Sequence, residues 1–166
     1  MSTALAFDGV ALRRGGRVVL DAVGFAAPAG RITGVLGQNG AGVEDVMALA
    51  AGVARPADGK ILLGGAALGG TPGAVAAQGV ARCARRPRAI AGMTVLEQAM
   101  TGGFRHRPGF WGALLGLPAA RRAERALAER VHALLARDGL AARTDEPAQR
   151  LRGPELWQLE VVRALA

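Results

Sequence analysis

Residues Gly34 to Gly52 read GVLGQNGAGVEDVMALAAG and set three glycines, Gly37, Gly40 and Gly42, between two apolar runs. The first run, Arg31–Leu36, reads as a short strand. In the second, Val46, Met47, Leu49 and Ala50 form the apolar face of a helix that Gly52 ends. Strand, glycine loop and helix in that order can cradle a phosphate. Glycine tolerates positive φ, so successive backbone N–H groups can face one concavity, and the helix aims its positive end there. A complete phosphate loop runs G-x-x-x-x-G-K-[ST], with the lysine on the β/γ-phosphates and the hydroxyl on Mg²⁺. The frame Gly37-Gln38-Asn39-Gly40-Ala41-Gly42 is intact here, but Val43 stands at the lysine position and Glu44 at the hydroxyl position. The sequence supplies the cradle without its cation or its metal ligand.

A chain of 166 residues has the length of one domain able to bury a core. Apolar residues make up 51%, outside the disordered range. Much of this is alanine, and with 25 glycines and few aromatics the core is expected to be thin. Lys+Arg exceed Asp+Glu by 21 to 13, a net charge of +8. The arginines are spread along the chain, and almost no aromatic residue accompanies them as a stacking platform, so the pattern argues against nucleic-acid binding. The single Cys83 excludes an internal disulfide and a multi-cysteine metal site, and reads as a small buried residue. No stretch approaches the ~20 apolar residues of a membrane helix. The opening MSTALAFDGV lacks the basic and apolar regions of a secretory signal. These features predict a cytosolic chain with no integral membrane segment.

In chain order, Ala4–Leu12 and Arg17–Ala27 read as strands around the turn Arg14-Gly15-Gly16-Arg17. Pro56-Ala57-Asp58-Gly59 turns into a strand over Lys60–Leu63. Thr71 caps a short helix with Pro72 at its first position, and Val80–Cys83 is a strand candidate. The basic segment Arg82-Cys83-Ala84-Arg85-Arg86-Pro87-Arg88 reads as a solvated loop, with Pro87 excluding helix at Arg86. Thr94 caps a helix to about Met100, with Glu97 at the capping-box position. The glycine-broken segment Phe104–Leu117 carries Phe104, Phe110, Trp111, Leu114, Leu115 and Leu117, either as core or as a patch for a partner. Ala119–Arg137 is the clearest helix, with Leu127, Val131, Leu134 and Leu135 on one face and Asp138-Gly139 at its end. A last helix covers Pro154–Ala166, with Leu156, Leu159, Val162 and Leu165 on one side.

This series of pieces resembles the ATP-binding subunits of ATP-binding-cassette (ABC) transporters, especially those of branched-chain amino-acid importers. Gly34–Gly52 is similar to the family's Walker A strand, loop and helix, and Pro56–Leu63 to its "P-x-x-G-x-I" stretch. Gly79-Val80-Ala81-Arg82 leads toward the Q-loop region, and Met93-Thr94-Val95-Leu96-Glu97 resembles "MTVLEN". Residues Leu159 to Ala166 resemble the "LEIARALA" helix that follows the ABC signature. The resemblance implies an α/β, P-loop NTPase-like ABC ATP-binding domain, incomplete over residues 1–166, with an antiparallel β portion and a helical subdomain at about 94–142. It also implies ATP and Mg as the family's cofactors, with binding by this chain expected to be weak or absent, and a transporter membrane subunit and a second ATP-binding subunit as partners. The expected location is cytoplasmic, at the inner face of the cell membrane.

The family's functional positions are altered one after another. Arg14 falls near the adenine-stacking aromatic, Val43 and Glu44 at the Walker A lysine and hydroxyl, and Arg85 at the Q-loop glutamine. The signature "LSxGQ" reads Leu151-Arg152-Gly153-Pro154-Glu155, where proline removes an N–H and glutamate brings negative charge to an anion site. The resemblance places the Walker B strand, beside the loop-bearing strand, and the switch histidine after the residue that ends this sequence. His106 and His132 do not match these positions and read as solvated. Residues 37–44 are thus the expected nucleotide-facing set, with no catalytic or metal-ligating residue. Two readings follow: a catalysis-deficient pseudo-ATPase or vestigial fragment associated with a solute importer, or an ATP-hydrolysing importer subunit. A shortened gene model is compatible with the first. Phosphoryl transfer needs lysine, Mg²⁺ and a water-orienting group, so the first is the expectation.

Overall fold

The computed structural model describes residues 3–103 and 117–166. Most of the segment Phe104–Leu117 and His106 therefore lie outside the described residues. The chain divides into two compact units, Met1–Val80 and Ala81–Ala166, each with its own core.

In the first unit, β1 (Thr3–Arg14) and β2 (Arg17–Pro28) form the expected hairpin. Its two-residue turn, Gly15-Gly16, has φ of +53° and +78°, the left-handed pair that matches strand twist. β3 (Asp58–Leu63) and β4 (Ala66–Leu68) complete a sheet in the order β2-β1-β3-β4, antiparallel throughout. The buried residues of β1 do not alternate evenly: Phe7 is followed by Val10 and then Leu12. A register shift between Phe7 and Val10, with Gly9 at φ +59°, resets the phase so that all three face one core. The Phe7 ring stacks on Phe25 across the pair at 4.7 Å. Two helices complete this core: α1 (Val43–Ala50), through Val46 and Leu49, and α2 (Pro72–Ala77), through Val75. As expected, Thr71 caps α2, its hydroxyl accepting the Ala74 N–H at 3.3 Å.

Two strand expectations fail. Arg31–Leu36 is irregular, and among the described residues no strand pairs with it. Its apolar side chains consequently lie open, Ile32 and Leu36 being 103% and 95% exposed. A strand is a paired state, and apolar composition alone does not supply the pair. Val80–Cys83 is likewise irregular: the Val80 N–H bonds back to Val75 at the end of α2, outside any ladder.

The second unit is helical, built from α3 (Val95–Met100), α4 (Pro118–Arg137) and α5 (Gly153–Leu165). The stripe expected on α4 is its core face, with Leu127, Val131 and Leu135 buried and Leu134 packed at the margin. Gly139, at φ +79°, ends α4 with the Leu140 N–H on the Leu135 carbonyl, a Schellman closure. Thr94 and Glu97 form the full capping box: the Thr94 hydroxyl accepts the Glu97 N–H, and the Glu97 carboxylate accepts the Thr94 N–H. On α5, Leu159 and Val162 are buried while Leu165 is 43% exposed, so the expected apolar side is only partly used.

Gly102 follows α3 where its backbone meets α5, and a Cβ there would stand 1.7 Å from the Arg163 carbonyl oxygen. No rotamer relieves a backbone clash. Gly102→Ala should therefore destabilise the helical unit by roughly 3 kcal/mol, at the upper end of overpacking costs. Thermal unfolding followed by circular dichroism reads this, and an unchanged midpoint would show that α3 and α5 slide apart freely.

Candidate functional site

The glycine loop folds against the hairpin and opens α1. The Ala41 N–H donates to the Gln38 carbonyl at 2.9 Å, closing a turn through Asn39 and Gly40, whose φ is +87°. Gly42, at φ +82°, is the N-cap, and its carbonyl accepts the N–H groups of Asp45 and Val46 at 2.9 and 3.0 Å. It is buried, and a Cβ there would lie 2.6 Å from Leu20 Cδ2 on β2. Only glycine combines this close approach with this φ. At Gly37 a Cβ would meet Val43 Cγ2 at 2.9 Å, so the valine side chain leans back over the first residue of the loop. Gly37, Gln38, Asn39, Gly40 and Ala41 are exposed, Val43 is half-buried and Glu44 is exposed.

Charge at this helix start is negative. Glu44 and Asp45 occupy the first turn of α1, where the partial positive end of the helix favours anions. Asp45 is mostly buried and pairs with Arg14 of β1 at 2.7 Å. Arg14, the residue at the resemblance's adenine position, is thus engaged beside the loop by a carboxylate of the same unit. None of residues 37–44 carries a positive charge. Among the described residues no group of three or more His, Cys, Asp or Glu could hold a metal ion.

The second altered segment, Leu151 to Glu155, opens α5. Arg152 is its N-cap and Pro154 lies in the first turn. Glu155 accepts the Arg152 N–H at 2.9 Å with one oxygen and pairs with Arg143 through the other. Arg143 also donates to Glu146 at 2.8 and 3.2 Å and to the Arg150 carbonyl at 3.2 Å. By composition Arg143–Gln149 is only a polar stretch, and the hub is not evident from it. Its one local signal was the i, i+3 spacing of Arg143 and Glu146.

The Arg82–Arg88 segment is exposed apart from half-buried Pro87, as expected of a solvated loop. Cys83 corrects an expectation: it is exposed. Its Sγ donates to the Glu160 carbonyl at 3.8 Å, and partial desolvation, followed by the Glu160 charge, pushes the thiol pKa up. A small side chain on a loop stays at the surface when the loop's backbone is what makes the contacts. His132 is exposed on α4, in line with its solvated reading.

Hydrogen bonding to Arg143 holds Glu146 below the usual carboxylate range. For Glu155 the Arg152 N–H is the larger cause and Arg143 the second. A carboxyl whose folded pKa is depressed contributes stability above its unfolded pKa, and that contribution fades as pH falls through the folded value. Arg143→Ala should therefore lower the melting temperature at pH 7, with a deficit that shrinks toward pH 3. Paired melting curves check this, and a deficit independent of pH would assign the role of Arg143 to packing alone.

The sequence profile of the ABC transporter family matches residues 20–166. The chain is 31% identical over 163 residues to the high-affinity branched-chain amino acid transport ATP-binding protein LivG of Salmonella typhimurium, covering 97% of this chain and 64% of that protein. It is 30% identical over 162 residues to the aliphatic sulfonates import ATP-binding protein SsuB 1 of Mesorhizobium japonicum, covering 98% and 53%. It thus spans less than two thirds of the length of these relatives. A crystal structure of the ADP conformation of an ATP-binding cassette of an ABC transporter superposes with a TM-score of 0.81 at 22% identity, over 99% of this chain and 65% of the other. The chain belongs to the ABC transporter family and carries part of its ATP-binding-cassette fold.

Proposed function

We propose that this chain is an ABC ATP-binding-domain homologue that keeps the phosphate cradle but not hydrolysis, a pseudo-ATPase associated with a solute importer. One observation carries the reading: the Val43 side chain lies against Gly37, where the family's lysine would extend toward phosphate. Glu44 adds a carboxylate at the place of the Mg²⁺-binding hydroxyl. These residues do not fit a magnesium–triphosphate group. Because Glu44 is exposed, its repulsion of a phosphate oxygen at ~4 Å lies near the aqueous limit, about 1 kcal/mol. Loss of the lysine is the larger defect.

The named relatives support the importer assignment, although their solutes differ: branched-chain amino acids for LivG and aliphatic sulfonates for SsuB 1. The same reading gives the chain a transporter membrane subunit and a second ATP-binding subunit as partners, at the inner face of the cell membrane. It places the helical subdomain at about 94–142. No helix among the described residues is long and apolar enough to cross a membrane. The alternative, an ATP-hydrolysing importer subunit, draws on the 31% identity to LivG and on the intact glycine frame. It requires a cation for the triphosphate that residues 37–44 do not carry.

Calorimetric titration with magnesium-ATP tests the proposal, using the natural chain and a Val43→Lys/Glu44→Ser variant. The natural chain should give no binding heat at micromolar concentrations, and the variant should gain affinity by roughly a hundredfold or more, the scale of charge-assisted pairing. Micromolar binding by the natural chain would refute the role given to Val43 and Glu44. Silence from both would refute the preserved cradle.

A further inference from the structure

Within Ala81–Ala166, Glu160 on α5 and Gln98 on α3 are each only 3% exposed. Burying a carboxylate or a carboxamide is costly unless its polar atoms find partners; Arg163 neutralises Glu160, and each side chain also takes a backbone N–H from one stretch of irregular backbone. Glu160 Oε1 accepts the Ala84 N–H at 2.8 Å and also an N–H of Arg163 Nη2. Arg163 Nε donates to Oε2 at 3.0 Å, so an arginine of the same helix forks both carboxylate oxygens. At the far end of the stretch, the Gln98 side-chain oxygen accepts the Ile90 N–H at 2.8 Å, while its NH₂ donates to the Arg88 carbonyl at 3.0 Å. The segment is therefore gripped at both ends by buried side chains from different helices. Between the grips Arg85 and Arg86 are exposed where the backbone bends, and Pro87 disfavours a helical turn at Arg86. A loop that merely links two elements needs neither grip, and apolar side chains would fill both places without the desolvation cost.

We propose that Glu160 and Gln98 are positioning residues that hold Ala84–Ile90 as a pre-set arch, so that the arginine-bearing loop has one shape fixed by α3 and α5. The arch is a conformational device of this unit: its shape needs no ligand, and a movement of α5 along its axis would carry Ala84 with it through Glu160.

Residue-resolved amide hydrogen exchange on the full chain tests this. The Ala84 and Ile90 amides should be protected in the natural protein. Glu160→Met and Gln98→Met keep side-chain bulk and remove the acceptors. The first should speed exchange at Ala84, and the second at Ile90, by about tenfold or more, the scale of one hydrogen bond to a charged or buried partner. Val131 and Leu135 on α4 should stay protected in both. Unprotected Ala84 and Ile90 in the natural chain would overturn the proposal, as would acceleration equal at Ala84 and at the α4 amides, which marks general loosening. Should Glu160→Met fail to fold, Glu160→Gln decides. Its side-chain oxygen can still accept, so Ala84 protection retained within about threefold supports the clamp. Protection lost there with α4 intact overturns it.

Discussion

A backbone N–H removed from water has to find an acceptor, and alongside its apolar core this requirement organises the helical unit. The first turn of α3 shows how. Its opening N–H groups have no partner within the helix, and Val95 and Leu96 donate to the carbonyls of Glu146 and Thr144 at 3.0 and 3.1 Å. The Thr94 hydroxyl takes the next one, from Glu97. In return, the Ala148 N–H reaches the Met93 carbonyl at 2.9 Å. The stretch before α5 is thus tied to the start of α3 by the needs of both backbones. The stretch from Ala84 to Ile90 meets the same need through Glu160 and Gln98.

Helix beginnings tell a consistent electrostatic story in both units. The positive end of a helix is a natural anion site, yet α1 starts with Glu44 and Asp45, and α5 carries Glu155 in its first turn. In each case an arginine from outside the helix joins the arrangement: Arg14 on Asp45, Arg143 on Glu155. The anion that each helix start favours is already supplied by the chain. This is a stable use of the geometry, and it differs in kind from a site that waits for a ligand.

Features written in local sequence were legible. The Gly15-Gly16 turn, the Thr71-Pro72 cap, the Thr94–Glu97 box, the α4 stripe and the glycine that ends α4 depend on residues a few positions apart, and each has its expected form. The glycine loop was legible for the same reason, down to the conformations of Gly40 and Gly42. What failed depended on distant partners. Arg31–Leu36 has a strand's composition but no ladder among the described residues. The bond from Ala84 to Glu160 spans 76 positions and that from Arg143 to Glu155 spans 12, separations at which no periodicity or cap motif operates. The burial expected of Cys83 rested on the general habit of free cysteines, and a specific loop overrode it.

The open apolar segment at Ile32 and Leu36 bears on how copies of this chain behave in solution. An irregular segment with bare aliphatic side chains is adhesive toward its own kind. Opposing that adhesion is the excess of 21 basic over 13 acidic residues, which makes every pair of molecules repel. Repulsion of this sort reaches about 10 Å at 0.1 M salt and only about 3 Å at 1 M, whereas apolar attraction is not screened at all. Colloidal stability is therefore borrowed from low ionic strength: the same fold that disperses in dilute buffer turns cohesive once its charges no longer see one another.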